Sequence, residues 1–283
     1  MRILEEQVHG SHVLHAGSDH DHAVILLHGG GPGAQARSNW TPTLAALGDD
    51  VHVIAPDLVG FGRTRHPDPP PFGPEAWFDL RISQLLELAD HFGHERVDLV
   101  GNSLGGALAL RFALAHPERL GRLILMGSAG PPMKPTAELL NMLAFGSDPT
   151  AEHLAGVLRS FVFDLDRFGD VDELVASRLP EATRPEVQRS WHAMFHDEHG
   201  NPAGAQLALP AERVRTIEHP TLIVHGRDDR IIPLAGSLWL LEQLPDADLH
   251  VFARCGHWAM LEQPEGFVRL VRDFITSRKE QVA

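Results

Sequence analysis

Short apolar runs rich in leucine and β-branched residues recur along the chain, each bounded by glycine, proline or aspartate. They are AVILLH (23 to 28), VHVIAPD (51 to 57), VDLVGNS (97 to 103), RLILMG (122 to 127), TLIVHG (221 to 226) and DLHVFA (248 to 253). Runs of this length without polar alternation predict strands buried on both faces. Segments with helical spacing lie between or after them, at about 75 to 92, 104 to 115, 234 to 244 and 264 to 277. Alternating strand and helix predicts a mostly parallel sheet covered by helices on both faces, an α/β class. Two further runs around Gly10 predict a hairpin added at one edge of that sheet.

The alternation stops between Gly130 and Pro210. Helix-like stretches such as AELLNMLAF and AEHLAGVLRSFVF follow one another there with no convincing strand. Pro131, Pro132 and Pro135 mark the entry, and Pro210 and Pro220 bracket the return to TLIVHG. The expected organisation is therefore one α/β core from residues 1–130 and 211–283, with a helical cap at 131–210 inserted into it. The proline-rich HPDPPPFGP (66 to 74) is too short to link domains and is expected to be a surface loop. The chain contains no internal repeat.

Chemistry concentrates at the ends of the predicted strands. Gly101-Asn102-Ser103-Leu104-Gly105 has the G-x-S-x-G pattern at the point where VDLVG gives way to the helix GGALALRFALA. A strand that turns sharply into a helix brings two backbones together and leaves no room for a β-carbon beside the serine. The turn exposes the hydroxyl and sets the Leu104 amide at a helix N-terminus, where it can stabilise an oxyanion. The plainer reading is a glycine-rich turn with a helix-capping serine. A nucleophilic serine needs a base, and the base needs an anionic partner that fixes its tautomer. Asp229 in HGRDDR and His257 in CGHW follow the next two strands and fit those roles, with Asp228 an equal rival on chemistry alone. HGGGPGA (28 to 34) follows the first long strand and offers a second oxyanion amide, at Gly30. Read as a phosphate loop it fails, because no Gly-Lys-Ser/Thr follows the glycines.

Composition removes other classes. The chain is 43% hydrophobic and 22% charged, as in ordinary globular proteins. A net charge of -14, with Lys134 and Lys279 the only lysines, opposes nucleic-acid and anionic-lipid binding. No apolar run approaches the roughly 18 residues of a membrane span and no signal peptide is evident, so a cytoplasmic location is expected. Cys255 stands alone and suggests no redox chemistry. Nineteen histidines raise a metal site, most obviously His20 and His22 in SDHDH or His196 and His199 in HDEH. Neither pair has H-E-x-x-H spacing, so solvated loops are expected and neither a metal nor an organic cofactor is assigned.

HGGGPGA with SNW (38 to 40), APDLVGFG (55 to 62), GNSLGG (101 to 106), GRDDRIIP (226 to 233) and CGHW occur together. In that combination the chain resembles the meta-cleavage product hydrolases, over nearly its whole length. These are cofactor-free α/β-hydrolases that cut a carbon-carbon bond in 2-hydroxy-6-oxo-hexa-2,4-dienoates, the ring-fission products of catechols. LILMGSAGPP and SRLPEATRPEVQRSWHAMF look most similar to the branch acting on 2-hydroxymuconate semialdehyde and its alkyl ketone analogues. The resemblance implies an α/β-hydrolase fold, a Ser103, Asp229 and His257 triad, and oxyanion amides from Gly30 and Leu104. It also implies that Asn39, Asn102, Arg178 and Trp258 hold the carboxylate and 2-oxo end of a small dienoate, with 2-hydroxypenta-2,4-dienoate and a carboxylic acid as products. Surface exposure of Arg178 and simple core packing of Trp258 are the plainer readings of those two. Gly30 departs from the serine of many semialdehyde-branch relatives, and HDEHGNPAGAQLALPAE (196 to 212) is less familiar; both bear on substrate range. Ile231 stands where some relatives that accept aryl ketones carry phenylalanine. An aliphatic wall of Ile231 with Leu139, Met142, Leu158 and Phe161 is therefore expected to favour a small 6-substituent. The rival readings are a carboxylesterase or a cofactor-free haloperoxidase-like hydrolase, and a non-catalytic ligand-binding protein on the same fold. The expected partner is the small dienoate, and self-association as a homo-oligomer is compatible with this reading.

Overall fold

The computed structural model describes residues 2–165, 169–199 and 207–277; part of the unfamiliar stretch 196 to 212, and Lys279, lie outside them. Eight strands form one sheet in the order β1-β2-β4-β3-β5-β6-β7-β8. The hairpin β1 (Leu4–Val8) and β2 (Ser11–Ala16) forms one edge through the turn at His9 and Gly10, both at positive φ. A two-residue turn of that hand matches the twist of the paired strands. β2 pairs antiparallel with β4 (His52–Pro56), and from there every pairing is parallel: β3 (Ala23–Leu27), β5 (Val97–Asn102), β6 (Leu120–Met126), β7 (Thr221–Gly226) and β8 (Ala247–Phe252). β3, β4, β5 and β7 are buried at every position, as their unbroken apolar runs require.

Helices cover both faces. α1 (Ala36–Leu47) packs beside the C-terminal α11 (Pro264–Ser277), while α2 (Pro74–His91) and α3 (Leu104–Ala115) pack together elsewhere. α3 is buried over almost its whole circumference, which explains its apolar composition. The sequence pattern gives no sign of α1. Pro42 and neighbouring Ser, Asn and Thr residues lower its helical propensity, and burial of Trp40, Leu44 and Leu47 overrides that.

Between β6 and β7 stand α4 (Ala137–Ala144), α5 (Ala151–Phe161), α6 (Val171–Ala182) and α7 (Pro185–Phe195). Thr136, Thr150 and Asp170 cap the first three through their side chains. α8 (Ala211–Val214) leads back to β7, followed by α9 (Leu234–Gln243) and the short α10 (Ala259–Glu262). The loop at 66 to 74 is more than a surface excursion. Gly73 N–H donates to the carbonyls of Ala193 (2.9 Å) and His196 (3.1 Å), so the loop braces the end of α7.

Candidate active site

Because β3, β5, β7 and β8 run parallel, the segments that leave them gather along one edge of the sheet, where ligands of open α/β sheets bind. Gly30, Ser103, Asp229 and His257 follow those four strands respectively. Ser103 adopts φ 55° and ψ -114°, a backbone strain that a non-glycine residue keeps only where its surroundings enforce it. The enforcement is visible on both sides. A β-carbon on Gly101 would lie 2.4 Å from the Gly105 carbonyl oxygen, and one on Gly105 would lie 2.3 Å from the Leu27 carbonyl oxygen. Ser103 N–H donates to Met126 O (3.0 Å), and Ser103 O accepts from Ala129 N–H (3.0 Å).

Asp229 Oδ2 meets His257 Nδ1 at 2.7 Å, with both side chains fully or almost fully buried. Asp229 Oδ1 accepts the Ile231 and Ile232 amides at 2.8 and 2.9 Å, which orients the carboxylate from its far side. Asp228 instead approaches Arg227 at 3.4 Å, so geometry brings only the second aspartate to the imidazole. Phe161 stacks on His257 with ring centres 5.4 Å apart and also on Trp258 at 4.7 Å. Among the described residues the Ser103 hydroxyl forms no hydrogen bond with His257; such contacts commonly tighten only when substrate is bound.

The HGGGPGA loop is held by a buried histidine. His28 Nε2 accepts from Leu58 N–H (3.0 Å), and its Nδ1 donates to Gly29 O (2.7 Å). Burial pulls the His28 pKa down to about 4, so the ring is neutral and can do both. In a trans peptide the Gly30 N–H points opposite to the Gly29 carbonyl, away from His28. Asp57 fixes the next part of the loop by accepting from Ala36 N–H (2.7 Å) and Arg63 N–H (2.9 Å), and His12 joins it at 2.9 Å.

Gly30, Ser103 and Leu104 border an apolar cavity of about 140 Å³ whose wall includes Leu139, Met142, Leu143, Phe195 and Ile232. The tail wall expected from Ile231, Leu139, Met142, Leu158 and Phe161 is realised only in part. Leu139, Met142 and Ile232 line the cavity, and Ile231 is buried beside them in sequence with its amide and carbonyl engaged by Asp229 and Thr136. Phe161 is turned onto the imidazole.

A polar cluster gathers at Trp258, on which Phe161 stacks. Arg178 is 3% exposed, its guanidinium carbon 4.7 Å above the Trp258 ring and its Nη2 3.4 Å from Asn39 Oδ1. Among the described residues no carboxylate pairs with it, and burial lowers its pKa to about 10. Asn102 is fully buried; its amide donates to Met126 O (3.2 Å), while its Oδ1 has no partner among the described residues. Arg178 is thus an interior rather than a surface arginine.

Two elements of the region carry no signal that sequence patterning reads. Glu262 binds backbone amides and Asp57 binds two amides and the His12 ring, and such contacts depend on how distant loops meet. The histidine runs differ from each other. His199 is exposed, but His22 is half-buried against Asp98 (2.9 Å), because β3 pairs in parallel with β5 in the register Val24 to Asp98, which sets His22 at the strand end opposite Ser103. Among the described residues no group of three or more His, Cys, Asp or Glu side chains is arranged to hold a metal ion, and no helix is long and apolar enough to cross a membrane.

A family model described as the alpha/beta hydrolase fold matches residues 23–264. The 2-hydroxy-6-oxo-2,4-heptadienoate hydrolase of Pseudomonas putida is 42% identical over 259 residues, covering 90% of this chain and 89% of that protein. The 2-hydroxymuconate semialdehyde hydrolase of a Pseudomonas species is 39% identical over 257 residues, covering 89% and 86%. The solved structure of a 2-hydroxy-6-oxo-6-phenylhexa-2,4-dienoate hydrolase from a Rhodococcus species superposes with a TM-score of 0.91 at 39% identity, covering 97% of this chain and 99% of that one.

Proposed function

Because the chain belongs to the meta-cleavage product hydrolases of the α/β-hydrolase fold, we infer that it cuts the carbon-carbon bond of 2-hydroxy-6-oxo-hexa-2,4-dienoates and that Ser103, His257 and Asp229 perform the reaction. The observation that carries the residue assignment is Arg178, buried with no carboxylate partner among the described residues and set over the ring of Trp258, the neighbour of His257. An isolated interior guanidinium is costly unless an anion joins it, and the substrate carboxylate is such an anion. Asn39 and Trp258 flank the Arg178 guanidinium and suit the carboxylate, and Asn102 Oδ1, without a partner among the described residues, suits the 2-oxo end. The apolar cavity on the far side of Ser103 suits the 6-substituent, which sets the 6-carbonyl at the serine.

Asp229 keeps the His257 proton on Nδ1 and leaves Nε2 as the base. His257 first relays the 2-hydroxyl proton to C5, turning the dienol into a ketone. Ser103, or a water activated by His257, then adds to the C6 carbonyl, and the amides of Gly30 and Leu104 hold the resulting oxyanion. Cleavage of the C5–C6 bond leaves the electron pair conjugated with the 2-oxo group, and protonation gives 2-hydroxypenta-2,4-dienoate. Net addition of one water releases C6 as a carboxylic acid. Residues 131–210 act as a cap that keeps bulk water from the oxyanion. A cytoplasmic location accords with a lone buried cysteine.

The preferred 6-substituent is hydrogen or a short alkyl group. The two Pseudomonas relatives act, by their names, on a 6-methyl ketone and a semialdehyde, although the Rhodococcus relative takes a phenyl ketone. A cavity of about 140 Å³ is close to the roughly 150 Å³ that accommodates benzene in an engineered core, so the preference is graded rather than absolute. Rates of loss of the yellow dienolate are to be compared for the 6-methyl and 6-phenyl compounds, with p-nitrophenyl acetate as a control. A higher kcat/KM for the phenyl compound overturns the substituent preference, and a higher value for the ester overturns the reaction class.

A further inference from the structure

We infer that Glu262 is a positioning residue for His257: its carboxylate grips the turn that carries the imidazole and fastens that turn to the inserted helices. The inference rests on the reading of His257 as the base. Glu262 ends α10, one turn beyond the histidine, and its contacts are with backbone. Oε1 accepts the Gly256 N–H at 2.8 Å and Oε2 accepts the Phe163 N–H at 2.7 Å. The Trp258 backbone hydrogen-bonds the same carboxylate. The residues immediately before and after His257 therefore share one anchor, and a third strand of contact reaches across to the end of α5.

The two chain segments are pressed together at this point. His257 N–H donates to Phe161 O at 2.6 Å, beside the Glu262 contact with Phe163. A β-carbon on Gly256 would lie 2.6 Å from Phe161 O and 2.9 Å from Phe163 N, so the turn has no freedom to tilt. Phe161, held by this bond, lies flat on the imidazole. The acid loop grips the same segment, since Arg230 donates to Arg159 O (2.5 Å) and Val162 O (3.0 Å). Both loops that supply the acid and the base thus lean on residues 159 to 163 of the insertion. A carboxylate suits the task because its two oxygens present about four acceptor sites, so one side chain can satisfy three diverging amides. An amide side chain has a single acceptor oxygen and would turn an N–H₂ against one of the backbone donors. Half-burial without a cation raises the Glu262 pKa, the amides opposing that rise.

The experiment measures kcat and KM on the 6-methyl dienoate for Glu262→Gln and Glu262→Ala, each in the native chain and in a His257→Ala background, with thermal unfolding of every variant. His257→Ala alone tests the underlying reading: if it keeps native turnover, His257 is not the base and the inference falls with it. With that arm passed, Glu262→Gln is expected to lower kcat about tenfold, or about 1.4 kcal/mol, with KM within about twofold. Glu262→Ala should lower it further. In the His257→Ala background both changes should alter the residual rate less than about twofold, because a residue that acts through another has nothing left to act on. Equal losses in both backgrounds, an unchanged kcat in Glu262→Gln, or loss of the fold in that isosteric variant would each overturn the inference.

Discussion

Arg178→Met separates the cost of the binding site from its use. Burial holds the Arg178 pKa at about 10, against an ordinary value above 12 for arginine. At about 1.4 kcal/mol per pH unit, the charged side chain carries a penalty of about 3 kcal/mol at neutral pH, which is relieved only as pH rises through the folded pKa. The Trp258 face returns about 1 to 2 kcal/mol of this, and the long contact to Asn39 adds little. Asn39 Oδ1 also accepts from Ser38 Oγ (3.2 Å), so removing Arg178 does not orphan it. An unbranched methionine can occupy the space over Trp258. The ligand-free variant should therefore be about 1 to 2 kcal/mol more stable, with Tm higher by about 4 °C. The same change removes a charge-assisted contact to the substrate carboxylate in a desolvated site, so kcat/KM should fall at least about 100-fold, or about 2.7 kcal/mol. Calorimetry gives the first quantity and loss of dienolate absorbance the second. A Tm below native together with kcat/KM within about threefold would return Arg178 to a purely structural role.

Arg178→Lys is expected to lose more than about tenfold in kcat/KM, since a point ammonium cannot reproduce a planar bidentate contact, and steady-state kinetics decides it. Ser103→Ala and His257→Ala should fail at different steps in stopped-flow spectra: the serine variant still binds and ketonises the dienolate, whereas the histidine variant stalls before ketonisation. Native turnover by Ser103→Ala would remove the serine from the mechanism. In Gly105→Ala the new β-carbon meets the Leu27 carbonyl oxygen at 2.3 Å, which neither backbone can easily yield, so urea unfolding should show at least about 2 kcal/mol of lost stability. The hydrogen bond to Asp57 raises the His12 pKa, so the stability it contributes is complete below its ordinary pKa and is lost as pH rises through the folded value. His12→Gln should therefore flatten the fall of Tm with rising pH above about 6.5, and an unchanged slope would refute that coupling.

Local chemistry made most of this molecule legible. The strands, α2, α3 and the elbow around Ser103 follow from apolar runs and from glycines whose neighbours leave no space for a β-carbon. The choice of Asp229 over Asp228 did not follow from chemistry. It depends on which carboxylate faces His257, and that is decided by the Ile231 and Ile232 amides folding back onto Asp229. The turn that those bonds close also buries Ile231 and Ile232 together, and Ile232 lines the cavity beside Ser103. α1 was illegible because its stability comes from the partners of Trp40 and Leu44, not from its own residues. Glu262 was illegible for a related reason. A carboxylate that binds amides leaves no trace in the identity of its partners, since every residue other than proline has the same N–H.

The positions where local rules fail are also the ones that face the proposed substrate. Ser103 occupies a backbone conformation that its own side chain disfavours, and among the described residues Arg178 is a buried charge without a counter-charge and Asn102 buries a carbonyl oxygen without a donor. Each costs stability in the ligand-free chain, and three such costs within one site are hard to ascribe to packing, because packing alone would replace them with apolar residues. On the proposed function a single ligand removes two of the three together. A 2-oxo carboxylate supplies the anion that Arg178 lacks, and its enol form supplies the donor that Asn102 Oδ1 lacks. The strain at Ser103 is not relieved by binding, and it remains available to hold the hydroxyl against the C6 carbonyl. Binding energy gathered at the carboxylate end is thereby converted into alignment at the bond that breaks. On this argument, truncating the carboxylate of the substrate should reduce kcat as well as raise KM.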